Sequence, residues 1–317
     1  MASILVTGGA GFIGSHVAEA FLRRGDSVSI LDNFNPFYDP ALKRRNVETL
    51  AAYPGFRVFE GDIRDTGRLV DVMRDARPDG IVHLAAMAGV RPSIEQPALY
   101  ADVNVMGTMR VLEAAREAGV ARFVFASSSS VYGNREGEPF RETDNVDHPV
   151  SPYAATKKSG ELLCHSWHHL SGIPVTCLRF FTVYGPRQRP DLAIHKFAGL
   201  MRRGEAVTVF GDGSTRRDYT FVDDIVDGVV RAYDRASGYR IYNLGGSATI
   251  ALRDMVDGLA AALGVVPRVV HAPEQPGDVR MTYADVSAAR RDLGFLPSVP
   301  FAEGIRKFAR WHVEAVR

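Results

Sequence analysis

Six short runs rich in β-branched and aromatic residues recur through the first 180 residues: SILVTG from Ser3, SVSILDN from Ser27, FRVFEGD from Phe56, GIVHLAA from Gly80, RFVFASS from Arg122 and PVTCLRFF from Pro174. The intervals carry apolar residues at helical spacing, as in Val17, Phe21 and Leu22, or Leu69, Val72 and Met73. Strands that alternate with helices lie parallel, because each crossover is right-handed and brings its own helix back onto the sheet. The expected fold is therefore α/β, a doubly wound parallel sheet covered on both faces. After about Phe180 the rhythm breaks into turn-rich segments (YGPRQRPD, FGDGSTRRDY, APEQPGD), while VDDIVDGVVRAYD from Val222 reads as another helix. Residues 1–180 are expected to form the nucleotide-binding domain, with the chain returning to it around 220–244, and residues 181–317 a smaller C-terminal substrate lobe.

Composition narrows the partners. With 38 Lys plus Arg against 37 Asp plus Glu, the net charge of +1 gives no field for tracking a phosphate backbone, so nucleic acid is not an expected partner. No apolar run approaches the roughly 18 residues of a membrane span, and MASILVTGGAGFIG lacks a basic start before an apolar stretch, so a cytoplasmic location without membrane attachment is expected. Cys164 and Cys177 have no ligand or CxxC spacing and read as buried thiols. His165, His168 and His169 have no carboxylate partner, and no metal is expected.

The glycines of TGGAGFIGSHVAEAFL follow the first strand and open the first helix. Gly8, Gly11 and Gly14 let backbone N–H groups and the positive helix end approach a pyrophosphate. Asp32 ends the second strand 18 residues after Gly14. A carboxylate there accepts from both ribose hydroxyls and repels a 2′-phosphate, which favours NAD over NADP. Lys43, Arg44 and Arg45 read as a solvated helix face. Asp62 is a candidate for the adenine edge, and Ala85, Ala86 and Ala88 either leave room for the dinucleotide or pack a helix tightly.

Tyr153 and Lys157 in SPYAATKKSGELL share one helix face at i, i+4, in a helix started by Ser151 and Pro152. An ammonium beside a phenol favours phenolate and makes tyrosine a base for an alcohol. Ser127, Ser128, Ser129 and Ser130 end the fifth strand, where ligands of open parallel sheets lie.

TGGAGFIG, HLAA, SSSSVYG, PYAATK, VYGPR and TRRDYTFVDDI together resemble the extended short-chain dehydrogenase/reductase family, in its nucleotide-sugar epimerase, decarboxylase and dehydratase branch, across nearly the whole chain. The resemblance implies a Rossmann sheet and an enzyme with bound NAD held by Gly8, Gly11, Phe12, Ile13, Gly14, Asp32, Asn33, Asp62, Ile63, Leu84, Ala85, Ala86 and Asn104. It makes Tyr153 the base, places Lys157 on the nicotinamide ribose and Ser128 on the reacting hydroxyl, with Ser129 and Ser130 beside it. It also implies a homodimer joined through the Tyr153 helix and the segment from Val103 to Glu117.

Dehydratases of this family carry Asp and Glu where Ser129 and Ser130 stand, and decarboxylases carry Glu at the Ser130 position. A hydroxyl does that acid–base work poorly, so the expected reaction is hydride removal and return at C4, a 4-epimerisation. FFTVYGPRQRPDLAIHKF from Phe180 is similar to the epimerases acting on UDP-glucuronate, which give UDP-galacturonate. Arg189 would pair with the C6 carboxylate alongside Phe181, Thr182 and a serine, with Arg187 its nearest competitor. Arg217 resembles the diphosphate arginine, Arg280 is a second candidate, and Gln275 stands where several epimerases have a further arginine. Arg91 reads equally as facing sugar or solvent. Neutral-hexose epimerases and UDP-glucuronate decarboxylases remain rivals; a silent NAD-sensing protein would need Tyr153 or Lys157 lost.

Overall fold

The computed structural model describes residues 1–135, 137–273 and 280–315. The first half runs β1 (Ser3–Thr7), α1 (Phe12–Arg23), β2 (Ser27–Asp32), α2 (Pro40–Ala51), β3 (Phe56–Glu60), α3 (Thr66–Ala76), β4 (Gly80–His83), α4 (Val90–Glu95) and α5 (Pro97–Ala101). A π-helical turn (Asp102–Gly107) leads into α6 (Thr108–Glu117), followed by β5 (Arg122–Ser128), α7 (Pro152–Ser171) and β6 (Val175–Phe180). The rest comprises β7 (Thr182–Tyr184), α8 (Ala193–Arg202), β8 (Ala206–Phe210), β9 (Arg216–Arg217), β10 (Tyr219–Phe221), α9 (Val222–Asp234) and β11 (Tyr239–Leu244). It closes with β12 (Ile250–Ala251), α10 (Leu252–Leu263), β13 (Arg268–Ala272), α11 (Ser287–Leu293) and α12 (Phe301–Ala315).

Seven strands form one parallel sheet in the order β11-β6-β5-β4-β1-β2-β3. Alternation along each central strand divides its residues between two cores. Ile4, Val6, Val82, Val124 and Ala126 face α1 and α9, packing with Val17, Phe21, Ile225 and Val229. Leu5, Ile81, Phe123 and Phe125 face α3, α6 and α7, packing with Leu69, Val72, Val111, Leu112 and Cys164. Both cysteines are buried.

The first of these cores continues without a break into the C-terminal lobe through Phe197, Met201, Val207 and Phe308. The lobe adds three two-stranded pairings, β7 with β10, β8 with β13 and β9 with β12. β11 returns to the main sheet beside β6.

Two local features set up the site. Ser151 caps α7 by accepting from Ala154 N at 3.1 Å, with Pro152 in its first turn, so the helix starts immediately before Tyr153. At the other end of the sheet order the chain runs from β1 to β2 and β3 on one side and to β4, β5, β6 and β11 on the other, leaving a crevice between β1 and β4.

Candidate active site

A cavity of about 550 Å³ opens at the carboxyl ends of these strands. Of the residues expected at the dinucleotide, Gly8, Gly11, Phe12, Ile13, Gly14, Asp32, Asn33, Asp62, Ile63, Leu84, Ala85 and Ala86 all line it. Gly8 has φ +69°, and a Cβ there would lie 2.7 Å from the Ala85 nitrogen; a Cβ on Gly14 would collide with the Gly8 carbonyl oxygen. Gly11 caps α1 without a side-chain hydrogen bond, leaving a helix N-terminus against a glycine-lined wall. That cradle fits a pyrophosphate.

Asp32 accepts from Ala10 N at 3.2 Å and Phe34 N at 2.8 Å. It also pairs with Lys43 Nζ at 3.2 Å, and Lys43 is buried, with its ammonium over the Tyr38 ring. The solvated-face reading fails for Lys43: α2 turns it inward against the carboxylate, while Arg44 stays exposed beside Glu60. With three donors on it, the carboxylate keeps about one acceptor site, on Oδ2, for a ribose hydroxyl. Asp62 accepts from Asn33 Nδ2 at 2.9 Å, and the Arg64 guanidinium beside it lowers its pKa to about 2, so it stays an ionised acceptor on the cavity wall.

Asn104 does not line the cavity. It is buried in the π-helical turn, where Oδ1 accepts from Met87 N at 2.8 Å while Nδ2 donates to Met87 O at 2.9 Å and Thr156 Oγ1 at 3.0 Å. It thus ties the loop after β4 to α7 next to Lys157, one step removed from any ligand.

Tyr153 and Lys157 line the cavity with Ser128 and Ser130. Lys157 Nζ donates to Ala126 O at 2.7 Å and lies 6.0 Å from the Tyr153 ring centroid; burial lowers its pKa to about 8. Burial raises the Tyr153 pKa, while a hydrogen bond with Ser128 and the charge of Arg189 pull it down. Two cations thus stand near the phenol, Lys157 over its ring and Arg189, whose charge favours the phenolate. Ser128 also accepts from Ser130 N at 3.1 Å. Ser129 does not line the cavity, because the 3-10 turn that starts there leaves Ser128 and Ser130 on the wall.

The arginines separate cleanly. Arg189 lines the cavity with Phe181, Thr182 and Arg217. Arg187 does not: its Nη2 pairs with Glu19 of α1 at 2.7 Å, an attachment that removes it as competitor. Arg91 lies outside the wall, 5.5 Å from the Phe210 ring centroid, and Arg280 is exposed with its carbonyl accepting from Arg216 N. Gln275 lies outside the described residues.

Sequence reasoning missed Phe37, Tyr38, Lys43 and Tyr219 on the wall. A signal for the first two exists. In DNFNPFYD, Asp32, Asn33 and Asn35 each accept from the backbone N–H two residues on, at 2.8, 3.0 and 2.9 Å. Three such turns in succession carry the loop from Asp32 along the cavity wall.

A profile of the NAD dependent epimerase/dehydratase family matches residues 4–245, and the chain belongs to that family. It is 42% identical to UDP-glucuronate 4-epimerase 3 of Arabidopsis thaliana over 98% of this chain and 76% of that one. The crystal structure of UDP-glucuronic acid 4-epimerase from Bacillus cereus in complex with UDP-glucuronic acid and NAD superposes with TM-score 0.91 at 36% identity, covering 98% and 99% of the two chains. A UDP-glucose 4-epimerase from Thermotoga maritima with UDP-glucose also reaches TM-score 0.91, at 32% identity over 99% of each chain.

Proposed function

We propose that this chain is an NAD-dependent epimerase that inverts C4 of UDP-glucuronate to give UDP-galacturonate and retains the carboxylate. The observation that carries this reading is Arg189, whose side chain is only 16% exposed yet whose Nη1 makes no hydrogen bond among the described residues. The unspent Nη1 donors of this half-buried guanidinium on the cavity wall suit an anionic group of the ligand. It acts on the same phenol that would serve as base.

Bound NAD would supply the hydride acceptor and donor that C4 inversion needs. Tyr153 takes the C4 hydroxyl proton and gives it back, with Ser128 holding the oxygen beside the phenol and Lys157 reaching the nicotinamide ribose. Gly8, Gly11, Gly14, Asp32 and Asp62 hold the dinucleotide, and Arg217 reaches the diphosphate. A 4-keto uronate is a β-keto acid, and Arg189 with Thr182 would keep its carboxylate out of line with the carbonyl π-system. Ser130 supplies no carboxyl group for elimination.

Residues 1–180 with the return at 220–244 are read as the NAD domain and 181–317 as the substrate lobe. A homodimer through α7 and α6 is supported by Leu162 and Leu170 of α7, 57% and 72% exposed. No helix among the described residues is long and apolar enough to cross a membrane, which agrees with the cytoplasmic location we propose.

The test is proton NMR of the purified protein with UDP-glucuronate. A galacto-configured uronate is the expected product; predominant UDP-pentose would reassign the chain as a decarboxylase, and turnover of UDP-glucose alone would make it a hexose epimerase. Gly14→Ala tests the cofactor cradle. Overpacking there of about 1–3 kcal/mol lowers NAD affinity by about tenfold or more, read as NAD released from denatured protein; full occupancy would move the pyrophosphate elsewhere.

A further inference from the structure

We infer that Asp191 is a positioning residue for uronate specificity, holding Arg189 so that only its Nη1 edge meets the substrate; this rests on the reading of Arg189 as the carboxylate's partner. Arg189 Nε donates to Asp191 Oδ1 at 3.0 Å and Nη2 to Asp191 Oδ2 at 2.6 Å, while Nη2 also reaches the Ala88 carbonyl at 3.4 Å. One face of the guanidinium lies 5.1 Å from the Phe37 ring centroid. Two edges and a face are thereby occupied, and Asp191 itself does not line the cavity.

The consequence is geometric. Of five guanidinium N–H groups, the two on Nη1 are left to the ligand. A side-on, two-point grip through Nε and Nη2 is closed off by Asp191. The substrate carboxylate is then held end-on, about one nitrogen, which restrains its torsion without fixing the whole ring. Epimerisation needs this, because the sugar must present both faces at C4 while its carboxylate stays engaged. Asp191 also has an opposing effect, since its negative charge weakens attraction for an anion. Its side chain is 38% exposed, so that charge is screened by solvent and the orienting effect dominates.

The exposure of Asp191 makes it replaceable without loss of fold. Calorimetric binding of UDP-glucuronate and UDP-glucose should be measured for the wild type, Asp191→Ala, Asp191→Asn and Arg189→Ala, with cofactor content checked in each. Asp191→Ala should weaken UDP-glucuronate binding by about tenfold and leave UDP-glucose within about twofold, with Asp191→Asn in between because one acceptor oxygen remains. Unchanged or tighter uronate binding in Asp191→Ala, or equal losses for both sugars, overturns the proposal. If Arg189→Ala loses the uronate preference while Asp191→Ala keeps it, only the role of Asp191 fails; if Arg189→Ala keeps it, the reading of Arg189 fails as well.

Discussion

Tyr153→Phe is expected to lower turnover of UDP-glucuronate by about 10²- to 10⁴-fold, the contribution of a positioned acid–base group. The substitution removes one oxygen and leaves the ring in its edge-on contact with Tyr100, at 6.3 Å between centroids. Lys157 keeps its bond to Ala126, and no glycine of the cradle is touched. NAD content and binding of UDP-glucuronate should therefore stay near wild-type values while the rate collapses. Residual activity within tenfold of wild type would show that another group takes the C4 proton, and Ser128, hydrogen-bonded to the same phenol, would be the next to test.

The second large effect concerns stability. Arg179 and Glu161 are each 1% exposed and meet through two bonds of 2.8 Å, between β6 and the same α7 that carries Tyr153 and Lys157. Ser127 donates to Glu161 Oε1 at 2.6 Å, and Arg179 Nη1 donates to the Tyr132 hydroxyl at 3.0 Å. Tyr132 in turn donates to Asn243 Oδ1 at 2.7 Å, which reaches β11. Arg179→Met strands a buried carboxylate and should cost about 3–5 kcal/mol in chemical denaturation. The double variant Arg179→Leu, Glu161→Leu removes both charges and should recover most of that loss. A single variant within 1 kcal/mol of wild type, a threshold well below the cost of breaking a buried pair, would mean that Glu161 takes up a proton or finds water once its partner is gone.

Much of this fold is legible in the sequence because parallel strands buried on both faces leave unbroken apolar runs, and because the glycine loop and the Ser–Pro start of α7 are local signals. The position of Arg189 was legible in part. RPD after the YGP turn marks the segment, but only the folded chain separates Arg189 from Arg187, since the choice depends on Glu19 lying on α1, 168 residues away. Lys43 was misread for a similar reason. Three consecutive basic residues look like a solvated face until β2 supplies Asp32 as partner for one of them. Asn104 sits in a widened helical turn, which no periodicity rule anticipates, and its partners come from two other segments. What the sequence withheld throughout was the identity of distant neighbours, not the chemistry of the residues themselves.

The uninterrupted packing between the sheet and the C-terminal lobe bears on how a ligand turns inside the protein. Swinging the two halves apart like jaws would split this one continuous apolar core and hydrate the residues along the break. The chamber walls are consequently near-rigid on the scale of a sugar ring. Freedom to rotate must come from the ligand's own single bonds, with the nucleotide anchored as the pivot and the room available to the ring acting as the gate on which orientations can be reached.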